Sequence, residues 1–582
     1  MENNGNLYQA KGPIIKSDFV PLNEHPTPLI RRENFLILNG YWNFEISKIK
    51  KIPNVFKKKI LVPYAVESPL SGIHQLVEPD DYLIYSRHVK LDKKYKNKYI
   101  LLHFEGVDQT AEVYINKKLK LTHAGGYTRF VVKFPYLDEF DIDVIVKDVT
   151  DKSYFTRGKQ SLNPHDWIYS SSSGIIKSVW LESVNDNYIK DIIYQSNYDK
   201  KEISIEVITD KKVPYKLNID NKTYNGISNS KNTIKLDNNF TPWDLSNPYL
   251  YRVKIKSKDD EVNSYFGIRK IEIKEHHGFK TLFLNNTPIF LTGLLNQGYY
   301  YLGDLTPRSY KDYEFDIKES KALGFNVLRV HAKVEDDFFY YLSDKYGMLI
   351  IQDFPNGGYQ YNMPQTLLPR FFSHWRYEHI DEEKTGRGDE ISKECFKKEI
   401  KEYIERFKNN PSIIIYTIFN EAWGEFAPNE MYQLTKKLDH NQHLYDTASG
   451  WLDADSDFYS IHSYSNPGKK RIDKYNRVFI MSEVGGYGFK VNNHSLFEGY
   501  FSHFPSKTKD KLQNRYETLF LKRLLPQIKS AGLNGIIYTQ LTDCESEYNG
   551  IYTFDRKVLK INAKVIKEIN QTIINSFNKF HE

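Results

Sequence analysis

The sequence predicts a multidomain protein in which an N-terminal β jelly roll and an immunoglobulin-like β-sandwich precede a C-terminal (β/α)8 TIM barrel. Three observations predict it. Short apolar or alternating runs crowd residues 1–184, with Gly, Pro, Asn and Asp turn signals between them and no helical period. About 90 residues of the same kind in smaller units follow, over 185–274. From 275 to 582 the chain alternates strand-like and helix-like segments.

In the first unit the runs are Tyr41–Ile46, Ile60–Tyr64, Tyr82–Leu91, Tyr99–Phe104, Ala111–Ile115, Phe130–Phe134, Asp141–Val146 and Ile176–Leu181. Many short strands without intervening helices suit a sandwich or jelly roll. Ile203–Ile208, Lys216–Ile219, Leu250–Ile255 and Tyr265–Ile273 read as strands of the second unit, with turns at Asp220-Asn221 and Asp237–Asn239. In the third, the strand candidates are Ile289–Leu294, Asn326–His331, Leu349–Phe354, Ile413–Phe419, Leu444–Ser449, Phe458–His462, Val478–Glu483 and Gly535–Gln540. Tyr310–Leu323, Ser392–Phe407 and Tyr516–Ala531 carry apolar residues at three- and four-residue spacing between them. Eight strands in about 300 residues match a (β/α)8 barrel.

Composition narrows the function. The 582 residues hold 81 Lys+Arg against 74 Asp+Glu, a formal net charge of +7. The lysines are scattered in short runs such as Lys57-Lys58-Lys59, which predicts no nucleic-acid partner. Two cysteines, Cys395 and Cys544, build neither a disulfide framework nor a metal cluster. Met1 to Asn23 is polar and lacks the apolar core of a signal peptide, and no apolar run is long enough to span a membrane. A soluble cytoplasmic protein is expected, with a homo-oligomer left open. Aromatics make up 15% of the chain, a fraction that serves core packing and sugar-binding clefts equally.

Barrel proteins place their chemistry where strands end at the C-terminal face. The fourth candidate strand ends in Asn420-Glu421 and the seventh in Ser482-Glu483, each glutamate directly after an apolar run. The second ends in Arg329 and His331, the third in Asp353, the sixth in His462 and Tyr464, and the eighth in Gln540. A lone glutamate at a strand end is more often a surface or helix-start charge. Two at one barrel mouth meet the need for one protonated and one ionised carboxyl group about 5–5.5 Å apart, the arrangement that cleaves a glycosidic bond with retention. Arg329 is the candidate cation that would separate their pKa values. No HExxH and no close His pair on one helix marks a metal site.

These motifs, in this order, resemble family 2 of the glycoside hydrolases, which includes β-galactosidases, β-glucuronidases and β-mannosidases. Glu67–Gly72, Leu102–Val107, Gly125–Thr128 and Gly174–Leu181 resemble its sugar-binding jelly roll. Phe266–Lys270 resembles the close of its immunoglobulin-like domain. Gly293–Gln297, Leu323–His331 and Gln352–Pro355 resemble its barrel. The resemblance implies Glu421 as acid/base and Glu483 as nucleophile. It implies Asn420 on the sugar 2-hydroxyl, Arg329 and Tyr464 beside the nucleophile, and His331, Asp353 and His462 lining the sugar pocket. Gln540 joins the substrate contacts from the eighth strand.

Two departures bear on the sugar. Arg329 is followed by Val330-His331-Ala332-Lys333 where well-known members have Ser-His-Tyr-Pro. The eighth strand reads Tyr538-Thr539-Gln540-Leu541 where a Trp platform is common. The stretch Asp353–Gly357 lacks the Glu-x-His pair that holds Mg²⁺ in some large β-galactosidases, so no metal and no cofactor is expected. Glu547, Tyr548 and Asn549 precede Gly550-Ile551-Tyr552-Thr553, so the Asn-x-Lys with which glucuronidases hold a sugar carboxylate is missing, and Lys333 is the alternative cation. The expectation is a retaining exo-acting β-glycosidase taking a small glycoside or oligosaccharide, neutral and first of all a β-galactoside. The alternatives are a β-glucuronidase or β-mannosidase of that family, a metal-dependent barrel hydrolase, and a carbohydrate-binding relative without catalysis.

Overall fold

The computed structural model describes residues 19–359, 379–441, 443–464, 467, 473, 475–495 and 499–582. In the first sandwich a four-stranded sheet runs Phe35–Ile37, Val179–Val184, Tyr99–Phe104, Phe130–Pro135. It faces a six-stranded sheet running Lys58–Val62, Gly40–Ser47, Tyr82–Lys90, Glu139–Lys147, Thr110–Ile115, Lys118–Ala124. Strict alternation explains the layering: in Phe130–Pro135 every second residue is buried and the rest exposed. Trp42, Phe44, Tyr85, Phe104 and Val144 lie in the shared core. The second sandwich pairs a three-stranded sheet (Asp191–Asn197, Glu202–Ile208, Lys231–Lys235) with a four-stranded one (Lys222–Ile227, Pro214–Ile219, Tyr251–Lys256, Glu261–Phe266).

The expected strand Tyr265–Ile273 is two strands, Glu261–Phe266 and Ile271–His276. The chain turns between them at Gly267, where a Cβ would press on Pro411 and Trp243. Ile271–His276 then pairs with Phe279–Leu284 in a separate three-stranded sheet, so the boundary expected after residue 274 falls inside a strand.

Eight parallel strands form the C-terminal barrel: β1 (Leu291–Asn296), β2 (Val327–Val330), β3 (Leu349–Asp353), β4 (Ile413–Asn420), β5 (Leu444–Ser449), β6 (Phe458–Ser463), β7 (Val478–Gly485) and β8 (Leu533–Thr539). The sheet runs β5-β4-β3-β2-β1-β8-β7-β6. Every residue of β4 and of β7 is buried, as strands covered on both faces must be, and this is why they read as continuous apolar runs rather than alternating ones. β5 and β6 meet without a registered ladder. Side chains bridge that seam: Ser460 Oγ donates to Asp446 Oδ1 at 2.7 Å, and Ser449 Oγ lies 3.1 Å from His462 Nε2.

Helices flank the strands. Glu390–Phe407 starts where Asp389 Oδ1 accepts from Ser392 N–H at 2.9 Å. The helix expected over Tyr516–Ala531 begins earlier, at Lys509, and widens into a π turn over Thr518–Leu524 before Leu525–Ala531, where Pro526 has no N–H to give the ladder.

Trp243 joins the second sandwich to the base of the barrel. It is fully buried, shares a core with Val327, Ile351, Ile415 and Ile480, and its indole donates to Asp344 O at 2.7 Å. Trp243→Ala is expected to cost about 3–5 kcal/mol by leaving a cavity there. Thermal unfolding checks this, and an unchanged Tm would mean that the two units do not melt together.

Candidate active site

The C-terminal ends of the strands converge on a cavity whose lining includes Gln297, His331, Asn420, Glu421, Trp423, Trp451, Tyr464, Glu483, His503, Thr539 and Glu547. Glu421 follows β4 on a turn where it and Ala422 both take left-handed backbone, φ +54° and +58°. The turn is pinned by Glu421 N–H to Ser449 O at 2.9 Å and Trp423 N–H to Asn420 O at 3.0 Å. Gly424, also left-handed, admits the carbonyl of Asn356 where any Cβ would collide with it. Such backbone is costly for residues other than glycine and persists where surrounding contacts impose it. Glu483 lies within β7, and register irregularities at Ile461/His462 and Met481/Val484 flank it. Bulges of this kind re-aim side chains at barrel rims.

Arg329 lies beneath both glutamates, fully buried on β2. Its Nε donates to both oxygens of Asp353 at 3.0 Å. Nη1 donates to Ser482 O at 3.0 Å and to Glu483 Oε1 at 3.2 Å, and Nη2 donates to Asn420 Oδ1 at 2.8 Å. Nη1 also faces His462 Nε2 at 3.4 Å. His462 Nδ1 lies 2.6 Å from Glu421 Oε1 on the other side of the ring. Tyr464, one residue past β6, donates to Glu483 Oε2 at 2.5 Å and lies 3.3 Å from Glu421 Oε1. His503 stacks on its ring at 3.8 Å between centroids.

The two carboxylates differ in setting. The side chain of Glu483 is 5% exposed and that of Glu421 25%. Burial alone would push Glu483 towards its neutral form, but the pull of His462, Arg329, His331 and Lys159 outweighs it and holds the carboxyl well below the usual range. Oxygens of Glu421 and Glu483 and a ring nitrogen of His462 all lie within 4.8 Å of one another.

The structure divides the residues expected to contact substrate. His331, Asn420, Tyr464 and both glutamates face the cavity. Arg329, Asp353 and His462 stand behind its wall and act through the residues in front: Asp353 holds both Arg329 and the Nδ1 of His331, the latter at 2.7 Å. Gln540 is fully buried, and the wall at β8 is made by Thr539 and Glu547 instead. Lys333 is committed elsewhere, paired to Glu335 at 2.7 Å and donating to Gly298 O.

Sequence reasoning missed the contribution of the first sandwich. Lys159, Trp167 and Ile168 reach the cavity from residues 148–173. Arg157 docks that segment on the loop after β3 through a two-way backbone bridge to Gly357. The signal was its length, since a connection longer than about 12–15 residues without strand alternation is usually functional. A larger cleft of about 650 Å³ lies between the second sandwich and the opposite end of the barrel. Of its lysines, Lys270 is paired with Asp199 and Lys408 with Asp191, and the cleft does not set two buried carboxylates side by side.

Barrel, flanking sandwiches and paired glutamates at the strand ends are arranged as in the relatives that the chain resembles. The family description "Glycosyl hydrolases family 2, TIM barrel domain" matches residues 274–477. That match identifies the C-terminal region as a barrel domain like those of glycoside hydrolase family 2. The chain is 27% identical over 407 residues to a β-galactosidase of Thermoanaerobacter pseudethanolicus, covering 63% of this chain and 49% of that one. It is 23% identical over 363 residues to a putative β-glucuronidase of Formosa agariphila, covering 58% and 40%. The chain thus spans about half the length of the curated relatives it matches. A β-glucuronidase from Ruminococcus gnavus superposes with a TM-score of 0.72 at 17% identity, over 94% of this chain and 99% of that one, a likeness of fold.

Arg329→Met would leave Asp353 and Glu483 buried without their cation, a loss expected to cost about 3–5 kcal/mol and to show as a lower Tm. The same change raises the pKa of Glu483. A carboxyl held low contributes stability above its unfolded pKa and loses it as pH falls through the folded value, so the variant should lose that contribution at a higher pH than the wild type. Superimposable stability–pH curves for the two proteins would show that Arg329 does not hold Glu483 ionised.

Proposed function

We propose that the protein is a retaining, exo-acting β-glycosidase working by double displacement. The observation that carries the proposal is the asymmetric carboxylate pair: Glu483 buried among cations and held ionised, Glu421 more open and hydrogen-bonded to His462. Glu483 attacks the anomeric carbon while Glu421 gives its proton to the departing oxygen. The covalent glycosyl-enzyme is then opened by water, from which Glu421 takes a proton. The closeness of their oxygens, within 4.8 Å, supports retention, since inversion leaves room for a water between carboxyl groups about 6.5–9.5 Å apart. Asn420 spends its Oδ1 on Arg329 and keeps its amide hydrogens for the sugar, which supports its role on the 2-hydroxyl. The wall formed by Lys159, Trp167 and Ile168 across the barrel mouth supports action on a terminal residue.

Metal-dependent hydrolysis is the weaker reading. Glu421, His462 and Glu483 could offer three ligand atoms, but both oxygens of Glu483 already accept hydrogen bonds, from Arg329 and Tyr464, and the guanidinium would repel a cation. For the sugar we favour a neutral glycone, β-galactoside first. Glu547 in the cavity wall disfavours a carboxylate, and Lys333 is spent on Glu335. Lys159 in the same wall is the observation that favours a uronide as the second reading.

Glu483→Ala should lower kcat by at least about 10³-fold, with azide restoring turnover and giving the inverted glycosyl azide. Glu421→Ala should lose about 10²–10⁴-fold on poor leaving groups and far less on nitrophenyl glycosides, which need no proton. Near wild-type rates in both variants would remove the assignment. EDTA should leave the rate on nitrophenyl glycosides unchanged, and complete loss reversed by Mg²⁺ would contradict the metal-free mechanism.

A further inference from the structure

Two groups of opposite sign share the cavity wall without forming a direct ion pair. Lys159 comes from the first sandwich and Glu547 from the loop after β8. Lys159 is half-buried, and among the described residues its Nζ has no hydrogen-bond or ion-pair partner. Its Nζ lies 5.7 Å from the centroid of the Tyr169 ring. Glu547 is 2% exposed and accepts from Tyr169 Oη and, at 2.8 Å, from Asn549 Nδ2.

The geometry holds the two apart. Tyr169 N–H donates to Lys159 O at 2.9 Å beside the short parallel pair Gln160–Ser161/Tyr169–Ser170, so lysine and tyrosine are fixed neighbours. The tyrosine hydroxyl then reaches Glu547, and Ser170 N–H donates to Glu545 Oε1 at 2.9 Å, docking the sandwich segment on the barrel loop. Tyr169 thus stands between a donor and an acceptor that do not pair.

We propose that Lys159 and Glu547 form an opposed-charge pair that reads the sugar. Lys159 donates to one hydroxyl and Glu547 accepts from another, and a donor facing an acceptor in this way fits an uncharged glycone. This rests on the glycosidase reading and deepens it: sugar specificity is set jointly by two domains. A half-buried lysine that makes no hydrogen bond of its own gains an acceptor from a sugar hydroxyl. A sugar carboxylate would satisfy Lys159 but crowd Glu547. Cancelling the charge of Glu547 should therefore admit it.

The test compares nitrophenyl β-galactoside with nitrophenyl β-glucuronide on wild type, Lys159→Met, Glu547→Gln and the double variant. In parallel, calorimetry measures binding of free galactose and glucuronate to the same four proteins. Wild type should favour the galactoside. Glu547→Gln should raise the glucuronide-to-galactoside ratio of kcat/KM at least about tenfold, and the double variant should lose that gain. Lys159→Met should raise KM for galactoside about tenfold with a smaller change in kcat. As Lys159 is half-buried and no hydrogen bond of its Nζ holds the fold among the described residues, this variant decides the matter if Glu547→Gln does not fold, the KM effect being read against any change in kcat from its pull on Glu483. A ratio unmoved by Glu547→Gln, or a KM within twofold of wild type in Lys159→Met, overturns the pair. If no protein hydrolyses either glycoside but the galactose-to-glucuronate binding ratio shifts as stated, the pair stands and the glycosidase reading falls.

Discussion

The buried guanidinium of Arg329 is the interaction on which the rest of the site depends. It starts from β2 and reaches β3 through Asp353, β4 through Asn420, β7 through Ser482 and Glu483, and faces His462 on β6. A charge so far from water is tolerable only if its donors are matched by anions and carbonyls, and these matches fix the positions of the strand ends. The planar fork of arginine allows it, because its donors point in set directions that a lysine ammonium does not have. The same contacts make the two glutamates unequal. Glu483 shares the cation with Asp353, while Glu421 meets His462.

Around that centre the barrel supplies the paired carboxylates and the first sandwich supplies enclosure. The segment 148–173 is held at both ends of its reach, by the Arg157–Gly357 bridge and by the contacts of Tyr169 and Ser170 with the loop after β8. At the opposite end, Trp243 and the sheet begun by Ile271–His276 close the base of the barrel. The second sandwich therefore contributes stability rather than side chains to the cavity. This division follows the usual barrel rule that chemistry collects where strands end and packing where they begin.

Much of this was legible in the chain. The eight barrel strands fall within a few residues of where the apolar runs placed them, because a strand buried on both faces has no choice of residue type: β4 and β7 are apolar until the position at which they meet the cavity. Glu421, Glu483 and Arg329 could be marked because each interrupts or ends such a run. Tyr265–Ile273 was misread as one strand because its apolar content is continuous, and the turn at Gly267 comes from contact with Pro411 and Trp243, residues distant in sequence.

The sequence by itself determined the order of the units, the barrel and the residues its strand ends present, since these depend on local periodicity and on burial. Only the tertiary structure decided which side chains face the cavity. Asp353, His462 and Arg329 stand behind the wall because they are consumed in pairing with one another's neighbours. Lys333 turned to Glu335, and Lys159 and Trp167 arrive from a segment more than a hundred residues before the first barrel strand. Charge pairing between distant segments has no periodicity to betray it. It exists only once the chain has folded and each buried ion has found its partner.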